Sequence, residues 1–219
     1  MSQVQLPPEL TELSASVRHR RLPSQARSRQ RVKRLLDTAD ALIGAEGFGT
    51  MTIPRLASSA HVPVGSIYQF FPDKSAIVDA VAVRYMQLFH QELEHLSDRI
   101  VKLRWEAAVE TVIEHFAGMY RDHPTFRELW LNGHLMTPGA REREQRSNDD
   151  LAEVLLAALK QRPEFRHARR LSLASRISVE VADGLLRYAF TVSPAGDQAT
   201  LNELKRVLSG YLLQYATSR

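Results

Sequence analysis

The chain has 219 residues, enough for one large domain or a small one joined to a larger one, and its 44% hydrophobic and 25% charged residues are ordinary for a globular protein. It holds no cysteine, which excludes a disulfide framework, a thiolate metal site and a thiol nucleophile. The net charge of +4 is unevenly placed: residues 1–74 carry ten Lys/Arg against six Asp/Glu, and residues 75–219 carry nineteen of each.

From residue 1 to 24 the sequence shows prolines, scattered serines and no sustained apolar period, which predicts an irregular basic arm. Between Leu13 and Leu36 stand eight basic residues and no acid. Such a block serves either a solvated tail or a phosphate backbone. No apolar run approaches the ~18 residues of a membrane span, and the N-terminal residues lack the apolar centre of a signal peptide. A cytoplasmic protein is expected.

From Gln25 to Glu46 the residues Val32, Leu35, Leu36, Ala39, Leu42 and Ile43 keep the i, i+3, i+4, i+7 spacing of an amphipathic helix, and Gly47 is placed to end it. Thr52 is a suitable N-cap for a short second helix, with Pro54 tolerated in its first turn. Pro63 opens a third, in which Ile67, Phe70 and Phe71 share an inward face and Pro72 ends the run. Two short helices joined by a tight turn, the second offering Gly, Ser, Tyr and Gln, form the pattern by which a helix-turn-helix reads DNA.

The rest is helical by pattern. Helices are predicted at about Ser75 to Ser97, Arg104 to Asp122 and Phe126 to Leu131. After a break at Gly133 to Gly139, others follow at about Ala140 to Lys160, Arg170 to Val192 and Thr200 to Ala216. The fold class is therefore all-α: about nine helices, three in a small N-terminal helix-turn-helix domain and six in a larger C-terminal domain. The expected division is arm 1–24, DNA-binding domain 25–74, and a larger helical domain 75–219.

Gly47-Phe48, Thr52-Ile53, Leu56-Ala57 and Val62-x-x-Gly65-Ser66-Ile67-Tyr68-x-x-Phe71-Pro72-x-Lys74 together resemble the TetR family of bacterial transcriptional regulators. The likeness spans about 50 residues and is specific in its combined spacing; the body offers no comparable signature. The resemblance implies a homodimeric regulator, more often a repressor, released from a palindromic operator by a small-molecule effector. Tyr68 and Lys74 match positions that hold phosphates in the family. The residues add their own chemistry. Val64 suits a thymine methyl, Gln69 an adenine edge, Gly65 a close backbone approach, and Ser66 a hydroxyl contact. Thr52 and Arg55 are placed to grip the backbone, and Arg18, Arg20 and Arg21 to enter a neighbouring minor groove. Against these stand plainer roles, Val64 as a partly buried neighbour of Ile67 and the charged residues as solvated. Many family members carry polar residues where Pro63 and Val64 stand, so specificity here leans on DNA shape or on the arm.

Two apolar stripes, Leu171, Ala174, Ile177, Val181, Leu185, Tyr188 and Leu201, Leu204, Leu208, Tyr211, Leu212, Tyr215, match the helices by which the family pairs its subunits. Burial within one chain would use the same residues. Arg176–Glu180 and Asp183–Arg187 are i,i+4 pairs expected on a solvated or rim face. Trp105, His115, Met119, Phe126, Trp130, His134 and Met136 are the candidate effector-binding residues, His134 and Met136 standing out because they lie in the break. A regulator answering to a protein partner is the alternative, and an all-helical enzyme or metal bundle a more remote one. His90, Glu94 and His95 lack a His-Glu-x-x-His frame, and no phosphate loop or nucleophile elbow is present, so no metal, cofactor or catalysis is expected. Deleting residues 1–21 should weaken DNA binding and flatten its salt dependence; an unchanged salt slope in a mobility-shift titration would remove the arm from the interface.

Overall fold

The computed structural model describes residues 26–216, and over that range the fold is all-α: nine α-helices and three short 3-10 turns, with no strand among the described residues. The helices are α1 (Ala26–Glu46), α2 (Ile53–Ser59), α3 (Val64–Tyr68), α4 (Lys74–Ile100), α5 (Trp105–Asp122), α6 (Pro124–Leu131), α7 (Pro138–Gln161), α8 (Leu171–Val192) and α9 (Gln198–Leu213). The basic cluster Arg18, Arg20 and Arg21 lies outside the described residues. No helix among them is long and apolar enough to cross a membrane.

Local chemistry fixes the helix ends. Gly47, at φ +80°, ends α1 and returns its N–H to the Ile43 carbonyl at 2.8 Å. Asp73 opens α4, its Oδ1 accepting from the Ala76 N–H at 2.9 Å. Asp197 opens α9 by accepting from the Thr200 N–H at 2.8 Å, and the Thr200 hydrogen bonds hold its carboxyl below the usual carboxylate range. The last helix accordingly begins two residues before its expected start and ends three residues early.

Two compact units result. The first takes the described residues up to Gln87 together with His123–Glu144; the second takes Leu88–Asp122 and the described residues from Gln145 onward. The linear division at residue 75 marks where the DNA-reading motif ends, and we keep it as a proposal; the compact units record which elements pack together.

In the first unit α1 buries Val32, Leu35, Leu36, Ala39 and Ile43, as its period requires, while Arg27, Arg31, Lys33 and Arg34 stay exposed. Helix α6 packs against α1. The contact is close at Gly44, where an added Cβ would lie 2.8 Å from the Thr125 Oγ1. That hydroxyl donates to the Asp40 carbonyl at 2.6 Å, and the Tyr85 hydroxyl of α4 donates to the Asp40 Oδ1 at 2.8 Å. Burial, reinforced by the neighbouring Asp40 carboxylate, pushes the Tyr85 hydroxyl pKa upward, so it stays a donor. Further along α4, the buried Asp79 accepts from the Thr137 N–H at 3.1 Å and from its hydroxyl at 2.6 Å. Arg84 meets Asp37 of α1 at 2.9 Å.

In the second unit α8 and α9 pack along one another, and α9 also meets α5. Tyr120 stacks on Phe190 at 4.7 Å, and Lys205 bonds Glu114 at 2.6 Å. Gly196, at φ +84°, makes the α8–α9 turn, where a Cβ would strike the Phe190 ring at 2.8 Å. Residues of the expected α8 stripe divide between the inside of the chain and its surface. Leu171 and Ala174 face inward with Leu186, Ala189 and Phe190, but Ile177 and Tyr188 are exposed along with Leu173 and Val192. The Arg176–Glu180 pair does not form. Arg176 turns to Asp149 at 3.7 Å, and Glu180 accepts from Gln145 and Asn148 of α7. Asp183 does pair with Arg187, though on a largely buried site where desolvation raises the Asp183 pKa in spite of its partner.

Gly44→Ala should improve the helix propensity of α1 by up to about 1 kcal/mol yet force Thr125 aside at a cost of about 1–3 kcal/mol, for a net loss in a urea melt. In a Thr125→Ala background the same substitution should become neutral or stabilising; a loss of equal size in both backgrounds would show that the α1–α6 contact is not its cause.

Candidate nucleic-acid interface

Helix α2 starts as its sequence prescribes: the Thr52 Oγ1 accepts from the Arg55 N–H at 3.3 Å, leaving the hydroxyl proton free for an outside acceptor. Ile53, Leu56 and Ala57 are buried beneath it. The turn to α3 is built by His61, whose φ of 54° is left-handed. The His61 N–H returns to the Ser58 carbonyl at 3.2 Å and the Val62 N–H to the Ala57 carbonyl at 3.0 Å, the paired bonds of a Schellman ending. Glycine normally announces this geometry, and histidine is one of the few other residues that tolerate it, so the sequence reading passed over it.

Helix α3 has only five residues and divides sharply between its faces. Ile67 is buried, and Phe70 and Phe71 just beyond it are buried too. On the opposite face Gly65 and Gln69 are exposed; at its edges Val64 is 39% exposed, Tyr68 41%, and Ser66 is half-buried. Val64, three residues before Ile67, neighbours it at the edge between the buried and the outer face. An added Cβ at Gly65 would meet no atom within 4 Å. Alanine there would favour the helix by up to about 1 kcal/mol, and nothing among the described residues accounts for its absence.

The flanking cations are already engaged. Arg55 forms an ion pair with Glu46 at the end of α1. The Lys74 ammonium donates to the Phe48 carbonyl at 2.7 Å and sits over the Phe48 ring, 3.6 Å from its centroid. Partial burial lowers its pKa from the ordinary lysine value. Phe48 thus serves as a seat for Lys74, a contact 26 residues apart in sequence that spacing alone does not reveal.

The seven candidate effector residues fall in both units. In the first, Phe126 and Trp130 are buried with ring centroids 4.3 Å apart, Met136 is buried, and His134 is exposed. In the second, Trp105 and Met119 are buried, and the His115 Nε2 lies 3.1 Å from the Glu92 carboxylate without meeting hydrogen-bond geometry. Two polar groups stand out that the sequence reading did not use for their polarity or omitted. The Trp105 indole N–H and both amide atoms of Gln87 on α4 are buried without a hydrogen-bond partner among the described residues, an arrangement that costs about 1–3 kcal/mol per group. The signal for Gln87 was an amide one turn beyond Val83 on the buried face of an apolar helix. Among the described residues no group of three or more His, Asp or Glu converges on a metal-sized site.

The family model described as "Bacterial regulatory proteins, tetR family" matches residues 35–81, and that described as "Tetracyclin repressor-like, C-terminal domain" matches residues 103–216. No curated protein matches the chain in sequence. Among solved structures, a TetR-family transcriptional regulator from Streptomyces coelicolor is 29% identical, with 84% of this chain and 99% of that chain covered at a TM-score of 0.61. A TetR-family regulator from Mesorhizobium loti shares the fold at a TM-score of 0.69 and 11% identity, covering 88% of this chain and 100% of that one. SmeT, the repressor of a multidrug efflux pump of Stenotrophomonas maltophilia, shares it at 0.60 and 20% identity, covering 85% and 91%.

Lys74→Ala should lower stability by about 1 kcal/mol in a urea melt without DNA, since a charge-assisted hydrogen bond and a cation–π contact are lost together. An unchanged midpoint would show that the Phe48 seat contributes nothing to folding.

Proposed function

The chain belongs to the TetR family of bacterial transcriptional regulators, DNA-binding proteins rather than enzymes, and on that premise we propose that it is a homodimeric repressor released from a palindromic operator by a small molecule. The observation that carries the DNA reading is the outer face of α3. Its exposed Val64 and Tyr68 and its bare Gly65 suit a helix lying against base edges. In this reading Val64 meets a thymine methyl and Gln69 an adenine, while Ser66 and Tyr68 contact the backbone beside them. Thr52 adds a phosphate bond through its free proton. Arg55 and Lys74 reach phosphates by exchanging Glu46 and Phe48 for them, and Arg18, Arg20 and Arg21 supply the arm.

The dimer is proposed from the exposed apolar residues Leu173, Ile177, Tyr188 and Val192 of α8 and Val207 and Leu213 of α9. They lie on the last two helices, and exposed large apolar side chains gathered on paired helices suit a protein interface. For the effector we add Gln87 to Phe126 and Trp130 of the same unit, because a ligand's polar group would satisfy its open amide. Release then needs a two-state element. Helix α6 and the turn after it are tied to the first unit through Thr125, Asp40 and Asp79. An effector that favours a displaced α6 by a few kcal/mol would shift α1 and α4, and with them the recognition helix.

A duplex selected from a random pool by the full-length protein provides the test. Tyr68→Ala should lower affinity for it at least tenfold. Leu173→Glu with Tyr188→Glu should convert the dimer to a monomer in sedimentation and abolish tight operator binding while helicity is kept. Wild-type affinity in both variants would refute the reading.

A further inference from the structure

The connection between α7 and α8 lies in the second unit, whereas the recognition helix lies in the first. From Lys160 to Arg170 it reads Lys-Gln-Arg-Pro-Glu-Phe-Arg-His-Ala-Arg-Arg, with five Lys/Arg, one histidine and a single acid. That acid, Glu164, is paired with Arg162 at 3.0 Å. Lys160, Arg166, Arg169 and Arg170 are all exposed, and none of their side chains makes a hydrogen bond or ion pair among the described residues.

The segment is anchored from within. Phe165 is buried with its ring 5.1 Å from that of Trp105. Arg162 is buried as well, its guanidinium 5.3 Å from the Trp105 ring centroid and bonded to the Ile100 carbonyl at 2.7 Å. One arginine and one phenylalanine thus hold the chain inward, and the remaining cations are displayed from a fixed support. Arg170 adopts a left-handed φ of 60° at the start of α8, a conformation that side chains with a Cβ seldom take and that concentrates at functional sites. The first turn of α8 has neither an acid nor a side-chain cap, so its free N–H groups add to the positive potential.

We propose that this turn is a second DNA-binding face, which holds duplex phosphates independently of the recognition helix. The assignment follows from charge without an apolar anchor. Protein partners draw their affinity from desolvated aromatic and aliphatic side chains, and membrane surfaces require apolar residues beside the cations. Between Lys160 and Arg170 the exposed side chains are polar or charged apart from Pro163, and Phe165 is turned into the core. A row of arginines on a rigid support suits a phosphate backbone, which asks for position and charge and offers no apolar pocket. The face reads no sequence; it adds salt-dependent affinity, either for DNA flanking an operator or for a second duplex.

The experiment measures binding of the full-length protein to a random-sequence duplex as a function of salt. The combined variant Arg166→Gln, Arg169→Gln, Arg170→Gln removes three exposed cations. If each holds a phosphate, the log–log salt slope becomes shallower by about 2–3, at ~0.9 per phosphate, and low-salt affinity falls at least tenfold. The corresponding triple lysine variant keeps the wild-type slope. An unchanged slope in the glutamine variant overturns the proposal. So does an equal loss in the lysine variant, which would mark a packing effect. Inorganic tripolyphosphate that competes at lower phosphate concentration than the duplex replaces DNA with a small polyanion and overturns it too. Tyr68→Ala, on the other unit, leaves the turn-dependent part of the slope in place, so a failure here is distinguishable from a failure of the operator reading.

Discussion

A five-residue helix has no stability of its own in water, because nucleating a helical turn fixes more dihedral angles than its hydrogen bonds repay. Helix α3 exists because Ile67, Phe70 and Phe71 are buried on one side of it, each side chain contributing roughly 2–3 kcal/mol by leaving water. That constraint sets the orientation of everything else on the helix. With Ile67 inward, Gly65 and Gln69, two residues to either side of it, are turned to solvent, and Val64 and Tyr68 stand at the edges of that outer face. The face that we assign to DNA is thus fixed by the burial of its opposite. The left-handed His61 and the two bonds of its turn fix where that face begins.

The core beneath α3 continues into α4, whose start is held twice, by the Asp73 cap and by Lys74 on Phe48. From there α4 is joined to α1 through Arg84–Asp37 and Tyr85–Asp40, and α1 to α6 through Gly44, Asp40 and Thr125. Close-packed interiors do not deform continuously; they exchange one arrangement for another. A unit in which Asp40 alone accepts from both α4 and α6 has little slack. Displacement of α6 has to be answered by α1, by α4, or by rupture of these bonds. This gives the proposed release of DNA a mechanical basis within one unit.

Much of the first unit could be read from the residues. The period of Val32, Leu35, Leu36, Ala39 and Ile43 gave the buried side of α1, and Thr52 and Pro54 gave the start of α2, because both signals are local. The contacts that tie the unit together were not legible. Gly44 looks like a mild defect in a helix until Thr125 is placed against it, and Lys74 looks free until Phe48 arrives from 26 residues away. The α8 stripe divides for a related reason. The helix carries apolar residues on two sides, and only the position of α9 decides that Leu171 and Ala174 turn inward while Ile177 and Tyr188 do not. Arg176 and Glu180 were placed to pair along the helix, yet α7 offered each of them another partner. The effector residues were hardest, since a core and a ligand pocket are lined by the same aromatic and sulfur-containing side chains. What separates them is an unsatisfied polar atom, as at Gln87, and a sequence carries no record of satisfaction.

The second unit presents two surfaces that differ in what can cover them. The exposed side of α8 is aliphatic and aromatic, with Gly184 among its exposed residues; such a face gains by excluding water, is almost indifferent to salt, and suits another apolar face of the same shape. The turn before α8 exposes arginines around a buried anchor, and its interactions weaken steeply as counterions are added. Because Arg170 is followed directly by α8, the two surfaces are continuous in sequence yet respond to different solution conditions. Salt therefore separates them: a rise in ionic strength that leaves apolar pairing through α8 intact must still weaken any phosphate held at Arg166, Arg169 and Arg170. A single interface made by both surfaces together could not lose one half and keep the other.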